Sequence, residues 1–263
     1  MNVIELKIES NIGFIRLNRP EVFNSFNREM ALALIDALDH FESNEEVRCL
    51  VITGNGKAFS AGQDLNEAID ESNGISFEVI LNEHYNPIIK RIREIEKPII
   101  AAVNGVAAGA GCNIALACDF TIASSKASFT QAFSKIGLVP DSGGTYLLTR
   151  LVGLQRATAL MMLSDKVTAQ EAEQMGLIYK SVEAEIFDSY IQQLAERIVS
   201  MPAKALGMTK RLINLGLQNP LEKQLEIEGL LQVEAGNAPE YKEGVSAFLE
   251  KRSPNFKQLK TFS

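Results

Sequence analysis

Hydrophobic positions along the chain alternate between two periods. The runs Val3-Ile4-Glu5-Leu6-Lys7-Ile8 and Ile12-Gly13-Phe14-Ile15-Arg16-Leu17 flank Glu9-Ser10-Asn11 and predict a hairpin that ends at Asn18-Arg19-Pro20. From Asn27 the apolar residues Met30, Leu32, Leu34, Ile35, Leu38 and Phe41 recur at helical spacing, which predicts a helix over 28–42 with Asn27 as its N-cap. Short apolar runs predict buried strands over 49–53, 99–103 and 119–123, with a further short strand over 128–130. Between them lie a polar loop over 67–74, a helix over 77–96 with a kink or break at Pro87, and helices over 111–117 and 146–151. From about residue 155 the pattern is helical over 156–163, 169–175, 185–200, 203–217, 221–235 and 239–250, interrupted by one strand over 178–182. Alternating helix and strand signals place the core in the α/β class. The shift in pattern near 200 divides the chain into a core over 1–199 and a helical subdomain over 200–263, which is expected to cover an apolar surface on this chain or a neighbour.

Composition narrows the function classes. The 263 residues are 46% hydrophobic and 22% charged, enough to bury a sizeable core. A net charge of −7, from 26 basic and 33 acidic residues with no dense Lys/Arg run, argues against a nucleic-acid or anionic-membrane partner. The three cysteines, Cys49, Cys112 and Cys118, sit in apolar or small-residue surroundings, as reduced core cysteines do. The first residues lack a basic region followed by an apolar one, and no 18-residue apolar span occurs, so cytoplasmic residence is the expectation.

Candidate chemistry gathers in three stretches. In Ile99 to Asp119, a buried strand runs into the small residues Gly105 to Gly111 and then a helix. A helix start near Ala110 and Gly111 leaves backbone N–H groups uncapped and electropositive. A dinucleotide fingerprint is excluded, because Ile114 occupies its third glycine position, and no Gly-Lys-Ser/Thr phosphate loop occurs. The same glycines also fit plain helix-on-strand packing, and spacing alone leaves both readings open. Phe59-Ser60-Ala61-Gly62 is a second small-residue turn at a strand end, so two N–H donors could converge on one oxygen. Both histidines, His40 and His84, read as surface residues, no Ser/His/Asp or Cys/His arrangement is present, and no metal-ligand spacing occurs. Asp141 before Ser142-Gly143-Gly144 reads either as a helix N-cap or as a general base desolvated by Ile136, Leu138 and Val139. Asp64 and Asp119 read as turn or capping residues.

These stretches carry a resemblance. Lys57-Ala58-Phe59-Ser60-Ala61-Gly62-Gln63-Asp64-Leu65, Lys97-Pro98-Ile99-Ile100-Ala101-Ala102-Val103-Asn104-Gly105 with Gly109-Ala110-Gly111, and Gly137-Leu138-Val139-Pro140-Asp141-Ser142-Gly143-Gly144-Thr145 resemble the enoyl-CoA hydratase/isomerase (crotonase) superfamily over almost the whole chain. The resemblance implies a spiral of ββα units with a C-terminal helical region, assembled as homotrimers or hexamers. It also implies acyl-CoA thioester substrates, with coenzyme A carried by the substrate and no separate cofactor. Carried over by position, the N–H groups of Ala61 and Ala110 form the oxyanion hole. Ser60, Gln63, Asp64 and Leu65 line the CoA channel, with Gly109 and Phe133 beside the acyl group. Hydratases of the family use two glutamates, and this chain has Asn113 and Phe133 at their positions. Where hydratases have glycine it has Asp141, which is similar to the 1,2-epoxyphenylacetyl-CoA isomerase branch, in which that aspartate is the base. The expectation is an isomerase working through Asp141, with a 2-enoyl-CoA hydratase or a non-catalytic acyl-CoA-binding member as alternatives. Acyl specificity is expected to lie partly in the loop over 67–77.

Overall fold

A repeated ββα turn of chain builds two sheets at once. The computed structural model describes residues 2–68 and 76–259. It opens with the antiparallel pair β1 (Ile4–Glu9) and β2 (Ile12–Leu17), in which Leu6 faces Ile15. Ser10 and Asn11 join them with φ of 51° and 66°, the left-handed pair that a two-residue hairpin turn requires. Helix α1 (Arg28–Ser43) follows, and Asn27 Oδ1 accepts from Met30 N at 3.0 Å as the expected N-cap. Met30, Leu34, Leu38 and Phe41 form its buried stripe.

Three turns of the unit come next. The first is β3 (Cys49–Gly54), β4 (Ala58–Ser60) and α2 (Leu65–Ala68), followed by a helical run of α3 (Phe77–Val79), a π segment (Ile80–Tyr85) and α4 (Asn86–Glu94). The second is β5 (Ile99–Val103), β6 (Val106–Ala108) and α5 (Gly109–Ala117); the third is β7 (Phe120–Ser124), β8 (Ser128–Thr130) and α6 (Gly144–Leu163). The chain then adds β9 (Val167–Thr168), α7 (Ala169–Gln174), β10 (Lys180–Val182), α8 (Phe187–Val199), α9 (Ala203–Gly216), α10 (Leu221–Asn237) and α11 (Pro239–Glu250). The six-stranded sheet runs β1-β2-β3-β5-β7-β10 and the four-stranded sheet β4-β6-β8-β9. Each unit thus gives its first strand to one sheet and its second strand to the other, in parallel register.

Burial explains why β5 is apolar throughout. Ile99, Ala101 and Val103 join the core cluster shared with α1, α4 and α5, whereas Ile100 and Ala102 join a second cluster beneath α8 with Phe187, Ile191 and Ile198. A strand covered by helices on both faces has no position left for a polar side chain.

Several expectations are corrected. The stretch 105–111 holds a three-residue strand, β6, too short to show a period, and the helix after it starts at Gly109 rather than Gly111. Pro87 causes no break: it lies in the first turn of α4, just after the π segment, where a missing N–H is tolerated. His84 is buried, 1% exposed, rather than on the surface. The separation of 146–151 from 156–163 is reproduced by Gly153, which breaks α6 with φ 75° and ψ 166°. Residues 69–75, most of the 67–77 loop expected to bear on acyl specificity, lie outside the described residues.

At the C-terminus, α9 is tied to the core by Lys210 Nζ, 2.8 Å from Asp119 Oδ2 and 3.3 Å from the Lys97 carbonyl. Asp119 also accepts from Ile99 N at 2.9 Å, so it fixes the start of β5 and stays out of the chemistry. Helix α10 has no buried residue, and Leu225, Leu230 and Val233 on it, with Phe248 and Leu249 on α11, are exposed. No described helix is long and apolar enough to cross a membrane.

Candidate active site

The turn after β4 is tied to the segment before α1. Phe26 N donates to the Gly62 carbonyl at 2.7 Å and Asp64 N donates to the Phe26 carbonyl at 2.9 Å. Ala61 N donates to the Phe23 carbonyl at 2.9 Å, and Gly62 N to Ser60 Oγ at 3.1 Å. The expected Ala61 donor is therefore already committed within the fold. Among the described residues, the turn amide left without an acceptor is that of Gln63, two positions on.

Helix α5 supplies the facing amide. It starts after Ala108 with no side-chain cap, so the N–H groups of its first turn, Ala110 included, have no intrahelical acceptor. Gly62 brings the two turns together: with φ of 91° it occupies left-handed space, and a Cβ there would lie 2.8 Å from the Ala108 carbonyl oxygen and 3.4 Å from Ala110 N. The Gly62–Gln63 peptide and the start of α5 thus meet edge to edge, and two backbone donors at a helix start can hold an oxygen that gains negative charge.

The other turn residues divide by role. Ser60 is fully buried, and a Cβ on Gly111 would approach its side chain to 2.6 Å, so Ser60 shapes the turn from beneath and does not line a channel. The Asp64 carboxylate is drawn inward to Arg19 Nη2 at 3.0 Å and Asn66 N at 3.2 Å, which makes it a structural anchor rather than a ligand group. Leu65 is 49% exposed. Gln63 is half-buried, and its Oε1 accepts from the Tyr85 hydroxyl at 2.7 Å. Phe133 is buried, with its ring tip 3.8 Å from the Cβ position of Gly109, against the start of α5.

Asp141 lies in the loop before α6, which Asn113 ties to α5. Ser142 and Gly143 follow it with φ of 49° and 72°, and Gly143, not Asp141, is the N-cap of α6. The capping reading therefore fails. The Asp141 carbonyl accepts from Gly144 N at 2.8 Å and Asn113 Nδ2 at 2.9 Å, which leaves the carboxylate with the Ser142 hydroxyl at 2.8 Å. Burial pushes its pKa up, partly opposed by that hydroxyl. The source of burial differs from the expectation: Ile136, Leu138 and Val139 face outward, Val139 being 81% exposed. The loop is instead enclosed by α5, through Asn113, and by the helical run over 77–94, where Ile89 packs against Gly143. Tyr85, buried in that run, has its phenol pKa raised first by burial and then by the charge of Asp141. Tyr85 thus bonds to Gln63 and feels the charge of Asp141, a coupling that no local sequence pattern signals.

The sequence and fold that carry these groups have known counterparts. The family model described as enoyl-CoA hydratase/isomerase matches residues 7–260. The chain belongs to the enoyl-CoA hydratase/isomerase family. It is 43% identical over 258 residues to the 1,2-epoxyphenylacetyl-CoA isomerase of Escherichia coli K12, covering 97% of this chain and 98% of that protein. It is 42% identical over 255 residues to the probable enoyl-CoA hydratase of Rhodobacter capsulatus, again covering 97% and 98%. The crystal structure of an enoyl-CoA hydratase from Polaromonas sp. JS666 superposes with a TM-score of 0.89 at 36% identity, covering 96% of this chain and 98% of that one. The crotonase fold implied by the motifs is the fold observed. At the two positions that the motif resemblance gives to hydratase glutamates, the structure has Asn113, fully buried and hydrogen-bonded, and Phe133, also buried.

Proposed function

We propose that this enoyl-CoA hydratase/isomerase family member is an acyl-CoA isomerase. Asp141 takes a proton from the carbon beside the thioester, the N–H groups of Gln63 and Ala110 hold the enolate oxygen, and the same carboxyl group returns the proton further along the acyl chain. For a 3-enoyl thioester this moves the double bond to the 2,3 position; for a ring epoxide it opens the three-membered ring to the seven-membered oxepin. The observation that carries the reading is the desolvated Asp141 carboxylate on a loop bonded through Asn113 to α5, the helix whose uncapped start bears the Ala110 amide; the motif resemblance adds that Asn113 and Phe133 stand where hydratases carry glutamates. One carboxylate suffices for a proton shift, whereas activating water and protonating carbon calls for two coordinated groups. Phe133 against Gly109 suits an apolar or aromatic acyl group.

A hydratase reading is favoured by the relative named as a hydratase at 42% identity. Assays of 3-enoyl-CoA and ring-epoxide thioesters in deuterated water separate the two. Conversion with deuterium uptake by the wild type, and a fall of roughly 10²–10⁴-fold in Asp141→Asn, are expected for the isomerase. Undiminished turnover in Asp141→Asn overturns it, and hydration of crotonyl-CoA that survives that substitution selects the hydratase. Acyl-CoA binding with no proton exchange at all would mark a non-catalytic member.

We also propose a homotrimer or hexamer in the cytoplasm. The exposed apolar residues of α10 and α11, with Phe248 82% exposed, support a subunit contact over 200–263. Sedimentation of a single monomeric species at micromolar concentration would exclude it.

A further inference from the structure

The position that in hydratases carries a carboxylate is occupied here by an amide with two directed bonds. Asn113 lies one turn beyond Ala110 on α5, so it shares a face with the oxyanion amide. Its Nδ2 donates to the Asp141 carbonyl at 2.9 Å, and its Oδ1 accepts from Gln131 Nε2 at 2.7 Å. The contact is close on every side: a Cβ on Gly144 would lie 2.4 Å from Nδ2. An amide donates to one neighbour and accepts from the other, which neither an ionised carboxylate nor an apolar residue of this size can do.

Gln131 supplies an independent observation. It is 4% exposed, its carbonyl is held by the Ser164 hydroxyl at 3.0 Å, and its side-chain Oε1 is buried without a donor among the described residues. Its Nε2, besides reaching Asn113, also donates to Cys112 Sγ at 3.4 Å, so the side chain is held on both sides of that bond. What it provides is the Nε2 bond that orients Asn113.

We propose that Asn113, held by Gln131, is the positioning residue for Asp141: it fixes the main chain of the base to the helix that carries the Ala110 N–H, so base and oxyanion donors keep one separation. The inference rests on Asp141 being the base. Proton transfer is sensitive to such placement, a displacement of about 1 Å being able to cost about 10²-fold in rate. Besides burial, the groups that bear on the titration of Asp141 are the Ser142 hydroxyl and its own backbone N–H; the Tyr85 phenol, from the helical run over 77–94, feels its charge.

The test compares wild type, Asn113→Asp, Gln131→Met and Asp141→Asn on a 3-enoyl-CoA thioester, with kcat, KM, the pH profile and the melting temperature measured for each. Asn113→Asp is expected to lower kcat by about 10²-fold with little change in KM, and to move the acid limb of kcat to higher pH, because a second carboxyl group now adjoins Asp141. Gln131→Met is expected to lower kcat severalfold, without moving the limb and without lowering the melting temperature, since it also removes the unmatched oxygen. That variant carries the test if Asn113→Asp does not fold. If Asp141→Asn is inactive while both other variants keep wild-type kcat and limb, the positioning role is refuted and the base stands. If kcat falls only in step with melting temperature and binding, the role is structural and the inference is equally refuted. If Asp141→Asn keeps its turnover, the assignment of the base itself fails.

Discussion

The two amides of the turn after β4 make opposite predictions, and replacing a single N–H by an ester oxygen at position 61 or 63 separates them. The amide of Ala61 is bonded to the Phe23 carbonyl at 2.9 Å, whereas that of Gln63 has no acceptor among the described residues. Replacing residue 61 by its α-hydroxy analogue removes one ordinary backbone bond, worth about 0.5–1.5 kcal/mol of stability, and leaves the site intact. The same replacement at residue 63 removes no bond within the fold, but it weakens the Gly62 carbonyl, to which Phe26 N donates at 2.7 Å, so a few tenths of a kcal/mol is expected. Its main effect is on the transition state. Losing one oxyanion donor costs about 2.7–4 kcal/mol, or roughly 10²–10³ in kcat. Both proteins can be made by nonsense suppression, then followed by chemical denaturation and by turnover of a 3-enoyl-CoA thioester. Loss of kcat at residue 61 with activity retained at residue 63 would show that the amide assignment drawn from the Phe23 contact is wrong.

Other perturbations follow from the same geometry. Gly62→Ala puts a Cβ 2.8 Å from the Ala108 carbonyl oxygen in a left-handed residue, so a stability loss of about 1–3 kcal/mol is expected with a fall in kcat, both read on one purified protein. Because burial raises the Asp141 pKa, the folded state binds this proton more readily than the unfolded chain, and stability falls as pH rises through the folded pKa. Asp141→Asn is therefore expected to melt higher than wild type at pH 7, with the gain vanishing below the ordinary carboxylate range; a constant gain at all pH would contradict it. The acid limb of wild-type kcat should lie above that range, and Ser142→Ala, which removes the hydroxyl that opposes the rise, should move it further up. Lys210→Ala takes the 2.8 Å partner from half-buried Asp119, which keeps Ile99 N at 2.9 Å and Arg93 at 3.7 Å, and should destabilise by about 1.5–3 kcal/mol in denaturant titration, with kcat per folded molecule unchanged.

How much of this is legible before folding depends on whether the cause is local. Asn27 as a cap, the opening hairpin and the doubly buried β5 each follow from local residues, and the sequence pattern places them, with Glu9 moving from the expected turn into β1. The three-residue strands β4 and β6 fall below the length at which a period shows, so they read as turns although they pair with each other. The two stretches that meet at the site are still visible, because Gly62 and Gly109 are glycines for a backbone reason that survives without the structure.

Which amide of the turn is left free to act as the proposed second oxyanion donor, by contrast, is decided by a segment forty residues away. Residues 61 and 63 both belong to the small-residue motif, and nothing within it says which N–H is free. Phe23 decides: with φ of 54° it turns its carbonyl onto Ala61, and Phe26 then pairs on either side of Gln63 without using its amide. The desolvation of Asp141 has the same character. The apolar residues beside it in sequence point outward, and its burial comes from α5 and the helical run over 77–94. Both features on which the proposed chemistry rests, the free amide and the raised carboxyl, are therefore products of long-range packing. For that reason, substitutions at Phe23, Asn113 or Gln131 should alter the reaction even though none of these side chains donates or accepts the transferred proton.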